Sequence, residues 1–285
     1  MYAKEMSGKP IAEKILEEVK KEAEYLKTKN KNPGLGTILV GNDPNCSHYV
    51  DNKHKTCKTV GIDSFNITVP ESSTQSELLK AVDDFNNNPL VDAFMIQSPV
   101  PKHFDFNEAV KWINPKKDAD GLHPYNLGKL FLQENGLLPC TPAGIMEMLK
   151  YYNISIKGKH VVIVGRGPTL GRPLSLMLSM KNEYADAAVT VLHSGIKNIE
   201  YYTKLADVIV CGIGIPSFIN KNMVKKGCVA ISGGITWEGN KLLPDIDEDV
   251  GLVAEWKTTR LGGVGVITVA MLLKNTIEAA KGIIS

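Results

Sequence analysis

The sequence predicts an α/β fold built from two α/β domains, the second a doubly wound parallel sheet, with a cleft between the two. Three observations carry that prediction. An early series of apolar runs alternates with helical patterns, in the order "GTILVG", a helix through Tyr49, "SFNITVP", "TQSELLKAVDDFNN" and "VDAFMIQ". A strand–helix–strand alternation of this kind calls for parallel strands joined by right-handed crossovers. A later series, "KHVVIVG", "ADAAVTVLHS", "LADVIVCG" and "GCVAISGG", consists of short β-branched runs that read as a second parallel sheet. Finally, the first strand of that series leads through a turn with Gly165, Gly167 and Gly171 into a helical pattern.

Taken in order, the chain begins with an amphipathic helix, because Ile11, Ile15, Val19, Ala23 and Leu26 recur at about every fourth position. The βαβαβ series follows. Three loops then fall where parallel sheets place ligands, at or beyond the carboxyl ends of strands: "GNDPNCSHY", "QSPVPKH" and "NPKKDADGLHPYN". The last is too polar for core, and Asp118, Asp120 and Gly121 read by default as turn chemistry. "LPCTPAGIMEMLKYYN" opens the second half as a helix with Thr141-Pro142 at its start. The chain closes with "GGVGVITVAMLLKNTIEAAKGI", a glycine turn and a helix carrying Val269, Leu272, Leu273, Thr276 and Ala280 on one side. The expected division is residues 1–139 with 262–285 as one domain and 140–261 as the dinucleotide-binding, Rossmann-like domain.

Composition narrows the function classes. The chain has 285 residues, enough for a substantial core, and a formal net charge of +2, which gives nucleic acid no support as a main partner. A small-molecule substrate is expected instead. Five cysteines without a CxxC argue against a disulfide framework or a zinc knuckle, and scattered histidines leave a metal site unsupported. A reducing cytoplasm is the expected compartment. The charged amino-terminal stretch does not read as a signal peptide, and no apolar run reaches the ~18 residues that span a bilayer.

Two stretches carry candidate chemistry. In "SHYVDNKHK", Tyr49 and Lys53 stand four residues apart, so on a helix phenol and ammonium project side by side. They lie beside the inward face formed by Val50, His54, Cys57 and Gly61, where a lysine loses hydration and its proton affinity becomes tunable. The competing reading is plain solvation of a basic helix by Lys53, Lys55 and Lys58. The glycine turn is one residue longer than the usual dinucleotide fingerprint, and glycines in such turns also serve tight packing. The next strand ends in His193-Ser194 with no carboxylate for an unmodified ribose, whereas Arg166 and Ser194 could accept a 2′-phosphate. NADP is therefore expected, with NAD as the alternative.

In this order the motifs resemble the bifunctional methylenetetrahydrofolate dehydrogenase/methenyltetrahydrofolate cyclohydrolase (FolD) family. The likeness runs nearly end to end, through "VGNDPNCSHYVDNKHKTCKTVGI", "QSPVPKH", "KKDADGLHPYNLGKL", "LPCTPAGIMEML", "GKHVVIVGRGPTLGRPLSLML" and "LGGVGVITVAMLLKNT". The resemblance implies that Tyr49 and Lys53 are the catalytic pair, Gln97 the lysine's neighbour and Asp120 the anchor of the folate pterin. It assigns Gly262, Gly263, Val264 and Gly265 to the substrate, and Gly165, Arg166, Gly167, Ser194 and Ile235 to the cofactor. It further implies a homodimer in one-carbon metabolism and purine biosynthesis. The implied chemistry is oxidation of 5,10-methylenetetrahydrofolate to the methenyl cation, then hydrolysis to 10-formyltetrahydrofolate.

Several positions depart from the family pattern. Cys46 replaces a serine, Ser98 and Val100 replace leucines, and Gly167 replaces a serine. Leu261 and Val266 replace the prolines that flank the closing glycine turn, Ser232 replaces an aspartate, and Gly195-Ile196 replaces Lys-Thr. Three other readings compete: a dehydrogenase lacking the hydrolase step, a shikimate-type NADP-dependent dehydrogenase, and a cofactor-binding regulatory protein without catalysis.

Overall fold

A computed structural model describes residues 2–239 and 241–282. The chain divides into two compact units, one of Glu13–Leu138 with Val269–Ser285 and the other of Met1–Ala12 with Pro139–Thr268. It is α/β throughout. In chain order the elements are β1 (Lys4–Met6), α1 (Lys9–Thr28), β2 (Gly34–Val40), α2 (Pro44–Val60), β3 (Asp63–Val69), α3 (Gln75–Asn87) and β4 (Ala93–Ile96). There follow α4 (Phe106–Lys111), α5 (Pro124–Leu132), α6 (Cys140–Tyr151), β5 (His160–Val164), α7 (Gly171–Ser179), β6 (Ala188–Leu192), α8 (Ile199–Thr203) and β7 (Val208–Cys211). The last are β8 (Val229–Ser232), β9 (Ile235–Glu238), β10 (Lys241–Pro244), β11 (Trp256–Thr258) and α9 (Val264–Ala280).

In the Glu13–Leu138 unit, three parallel strands lie in the order β3-β2-β4. Every residue of the central strand β2 is buried, as its unbroken apolar run predicts for a strand covered on both faces. The edge strand β3 alternates, burying less of its length. Ile38, Val40, Leu78, Val82, Phe85, Phe94 and Ile96 form the core between sheet and helices. Helix α3 starts where the sequence carries T-x-x-E: Thr74 accepts the Glu77 N–H while the Glu77 carboxylate accepts the Thr74 N–H. The inward stripe expected for α1 is buried from Ile11 to Leu26.

In the other unit, six parallel strands lie in the order β1-β11-β8-β7-β5-β6. The order reverses at β5, which has β6 on one side and β7 on the other. Such a reversal opens a crevice at the carboxyl ends of the two central strands. Strands β9 and β10 form a separate antiparallel pair.

Two features differ from the expected organisation. Strand β1 pairs in parallel with β11, and the Gly8 N–H donates to the Gly262 carbonyl at 2.7 Å. Residues up to Ala12 and the Gly262–Gly265 turn therefore group with the six-stranded sheet, where the expected division set them with the first half. Helix α9 is also buried more widely than a single stripe: Ala270, Met271 and Ile277 are buried beside Leu272, Leu273, Thr276 and Ala280, while Val269 is half-buried.

Candidate active site

Helix α2 delivers the first group of candidate residues. Its start is fixed by Asp43, whose Oδ1 accepts the Cys46 N–H at 3.0 Å, and by Cys46, Val50 and Leu39, which pack together. One turn on, Lys53 is 8% exposed, whereas Lys55 and Lys58 are solvated. The solvated-face reading holds for those two lysines and fails for Lys53. Its Nζ donates to Gln97 Oε1 at 2.8 Å and to Met95 Sδ at 3.0 Å. Tyr49, one turn earlier, is half-buried.

Gln97 is held at the end of β4 by its backbone N–H, which donates to the Ile38 carbonyl at 2.8 Å. Its side-chain Nε2 donates to the Ser98 carbonyl at 2.6 Å. With the amide nitrogen engaged there, the amide oxygen is left to face Lys53. The Ser98-Pro99 peptide is cis. The Cys46 thiol is 3.9 Å from the Pro99 carbonyl, and burial pushes its pKa up, with Asp43 adding and Lys53 opposing.

Asp118 and Asp120 take different roles in one loop. Asp118 is buried, and its Oδ2 accepts the His123 N–H at 2.7 Å and the Asn126 Nδ2 at 2.8 Å. It orders the loop. Asp120 is half-buried, and burial pushes its pKa up to about 6; the Lys53 ammonium opposes this shift and the Asp118 carboxylate adds to it. The backbone between them is anchored twice. The Ala119 N–H donates to the Phe94 carbonyl at 3.1 Å, and Asn275 Nδ2 of α9 donates to the carbonyls of Ala119 and Leu138, each at 2.9 Å. One unit thus brings Lys53, Gln97 and Asp120 together, with Met95 and Asn275 as participants that sequence reasoning missed.

The other unit carries the second group. At the end of β5, Gly165 has φ +121°, and a Cβ on it would lie 2.7 Å from the Gly212 carbonyl oxygen. A Cβ on Gly171 would lie 2.1 Å from the Gly165 carbonyl oxygen. Only glycine lets this turn fold so tightly on itself and on the end of β7. Gly167 has room, its nearest neighbour being Thr169 Oγ1 at 4.0 Å. Among the described residues no side chain caps the start of α7, and Arg166, Gly167, Pro168 and Thr169 are exposed in front of it.

Strand β6 ends without a carboxylate: Ser194 is exposed, and His193 turns its Nδ1 to accept the Gly195 N–H at 3.1 Å. Ile235, 37% exposed, begins β9. Open backbone N–H groups, an exposed arginine and the missing acid form a donor set that fits a dinucleotide bearing an extra phosphate. In the same unit, Gly262 has φ +70° and Val264 is buried at the start of α9. Leu261 and Val266, where the family pattern has prolines, are 60% and 37% exposed.

The chain matches a tetrahydrofolate dehydrogenase/cyclohydrolase catalytic-domain model over residues 6–120 and the corresponding NAD(P)-binding-domain model over residues 139–283. It is 58% identical over 281 residues to a protein named bifunctional protein FolD from Syntrophotalea carbinolica, covering 99% of this chain and 97% of that one. Among solved structures, FolD from Campylobacter jejuni superposes with a TM-score of 0.92 at 37% identity, covering 99% of this chain and 100% of that one. The FolD of Trypanosoma brucei, solved with NADP cofactor and inhibitor, gives 0.93 at 33% identity and covers 100% of both chains. With both halves matched by one family's models and relatives aligned from end to end, the shikimate-type alternative falls, and the chain belongs to the tetrahydrofolate dehydrogenase/cyclohydrolase family.

Proposed function

We propose that this chain is a bifunctional enzyme that oxidises 5,10-methylenetetrahydrofolate to 5,10-methenyltetrahydrofolate with NADP and hydrolyses the product to 10-formyltetrahydrofolate. The observation that carries the reading is the buried Lys53–Gln97 pair, 2.8 Å between Nζ and Oε1, with Asp120 close enough to feel the ammonium. NADP, when bound, accepts the hydride.

The remaining chemistry belongs to side chains. Once the hydride has left, the folate carbon is cationic and open to water, but water is a poor nucleophile until a base takes its proton. Lys53, as the free amine, takes that proton while the water oxygen bonds to the carbon. Breaking the bond from that carbon to N5, with a proton delivered to N5 and the hydroxyl proton lost, leaves the formyl group on N10. Gln97 and Met95 hold the amine in place through the contacts described above. Tyr49 supplies a ring to pack on the folate and a hydroxyl to orient the lysine. Ionised, Asp120 offers two oxygens to the adjacent N–H donors of the pterin.

The Gly262, Gly263, Val264 and Gly265 turn is assigned to the substrate. Gly165, Arg166, Gly167, Ser194 and Ile235 are assigned to the cofactor, with Arg166 and Ser194 favouring NADP over NAD. Family likeness also supports a homodimer working in the cytoplasm. No described helix is long and apolar enough to cross a membrane.

The test is to separate the two half-reactions in Lys53→Met. General-base assistance is worth about 10² to 10⁴ in rate, so hydrolysis of purified methenyltetrahydrofolate should fall by that order while hydride transfer survives. Methenyl absorbance should then accumulate when methylenetetrahydrofolate and NADP are supplied. Hydrolysis at the wild-type rate would remove Lys53 from the mechanism.

A further inference from the structure

Beneath the glycine turn lies a carboxylate that neither reaction uses. Asp245 follows β10 and is 0% exposed, and no described residue forms an ion pair with it. A buried, unpaired carboxylate is costly unless backbone donors hold it. Here they do. Its Oδ2 accepts the N–H groups of Ile213 and Gly214, at 2.6 and 3.0 Å, just past the end of β7. Its Oδ1 has no hydrogen-bond partner among the described residues. Burial pushes the pKa of the neighbouring Cys211 thiol up, and the Asp245 charge adds to that shift.

The clamp reaches three segments around the crevice where the strand order reverses. Ile213 lies against the glycine turn: a Cβ on Gly165 would come within 3.2 Å of its Cγ2. Gly214 is tied to β9 by Thr236 Oγ1, which donates to its carbonyl at 3.0 Å, next to Ile235. From below, the Asp245 N–H donates to Ser232 Oγ at 3.1 Å, and Ser232 Oγ donates to the Gly234 carbonyl at 3.1 Å. Gly234 is glycine for the same reason, since a Cβ there would fall 2.1 Å from Asp245 Oδ2. Ser232 stands where the family pattern has an aspartate, so among the described residues the carboxylate of this network comes from Asp245.

We propose that Asp245 is a positioning residue for the dinucleotide: it fixes the Ile213–Gly214 backbone against the Gly165 turn and couples it to the Gly234–Thr236 segment. This rests on the reading of that crevice as the NADP site. Asp245 belongs to the unit that carries the Gly165 turn, whereas Lys53, Gln97 and Asp120 belong to the other, so its loss weakens cofactor binding and leaves cyclohydrolase chemistry intact.

The experiment compares wild type with Asp245→Asn and Asp245→Ala. NADP affinity is read by calorimetric titration, KM for NADP and kcat by the dehydrogenase assay, and hydrolysis by starting from methenyltetrahydrofolate without NADP. Hydrogen bonds to a charged group are strong enough that losing one weakens binding by about tenfold or more. Asp245→Asn keeps an acceptor oxygen and should raise the NADP Kd and KM about tenfold, with Asp245→Ala worse and hydrolysis within twofold of wild type. Unchanged NADP affinity in Asp245→Asn overturns the proposal. So does an Asp245→Asn protein that fails to fold or loses both activities in proportion, which would assign Asp245 to stability alone. A wild-type protein that does not bind NADP overturns the cofactor reading itself, a result distinct from either.

Discussion

Asp120 resists ionisation in the fold, because burial outweighs the attraction of Lys53 and raises its pKa from 3.8 to about 6. The folded state therefore binds this proton more tightly than the unfolded chain does. The ionisation penalty is absent below the unfolded value and complete once pH exceeds the folded one. A shift of that size is roughly 3 kcal/mol before solvent screening of a half-buried group, so about 1–2 kcal/mol is expected. Asp120→Asn should accordingly raise the melting temperature at neutral pH, with the gain fading in acid as pH falls through about 6 towards 4. The same variant should lose kcat/KM for the folate, whose N–H pair then meets a donor at one position. Wild-type kcat/KM should also decline as pH drops through about 6. Melting curves and folate kinetics across that range check all three, and a neutral-pH melting temperature at or below wild type contradicts the argument. At this scale Tyr49 and Lys53 were legible because helical spacing is local. Met95 was not: in an apolar strand a methionine reads as core, and only the fold shows its sulfur accepting from a lysine of another element.

Among the elements, long periodic patterns were the readable ones. Helix α1 and strands β2, β5, β7 and β8 declare themselves by unbroken or periodic apolar residues. Strands β1 and β11, three residues each, carry too little pattern; pairing across the sheet creates them. Asp245 sits in "PDIDED", where it looks like any solvated acid until the fold buries it. Asn275 left a faint signal, a polar residue within an apolar helix. Its amide donates to two carbonyls, at Ala119 and Leu138, so Asn275→Leu removes a hydrogen bond from each. A hydrogen bond contributes about 0.5–1.5 kcal/mol net, so a loss of roughly 1–3 kcal/mol is expected. Urea unfolding should show that loss. Because Ala119 adjoins Asp120, folate KM should rise more than NADP KM; equal changes in the two would mean that Asn275 does not act through the loop.

Across the whole molecule, each unit is assembled from separated stretches of chain, the boundaries falling at Ala12/Glu13, Leu138/Pro139 and Thr268/Val269. The amino-terminal residues matter more than their position suggests. Met6 is 0% exposed and Ala3 8% exposed, and β1 covers the edge of β11. Removing residues 2–7 should cost about 3–5 kcal/mol, from a buried methionine and a lost ladder, and leave β11 as an open edge prone to pairing with other chains. Calorimetry and light scattering would detect the two effects, and an unchanged melting temperature would mean that β1 contributes little. The pairing has a further consequence for how the chain is made. Lys4 registers with Trp256, so β1, once made, waits for a neighbour synthesised 252 residues later. At about 5–20 residues per second, that wait lasts roughly 10–50 seconds. Throughout it the nascent chain carries β1 unmatched, with Met6 still uncovered, and that side of β11 is sealed only once β11 itself has been made.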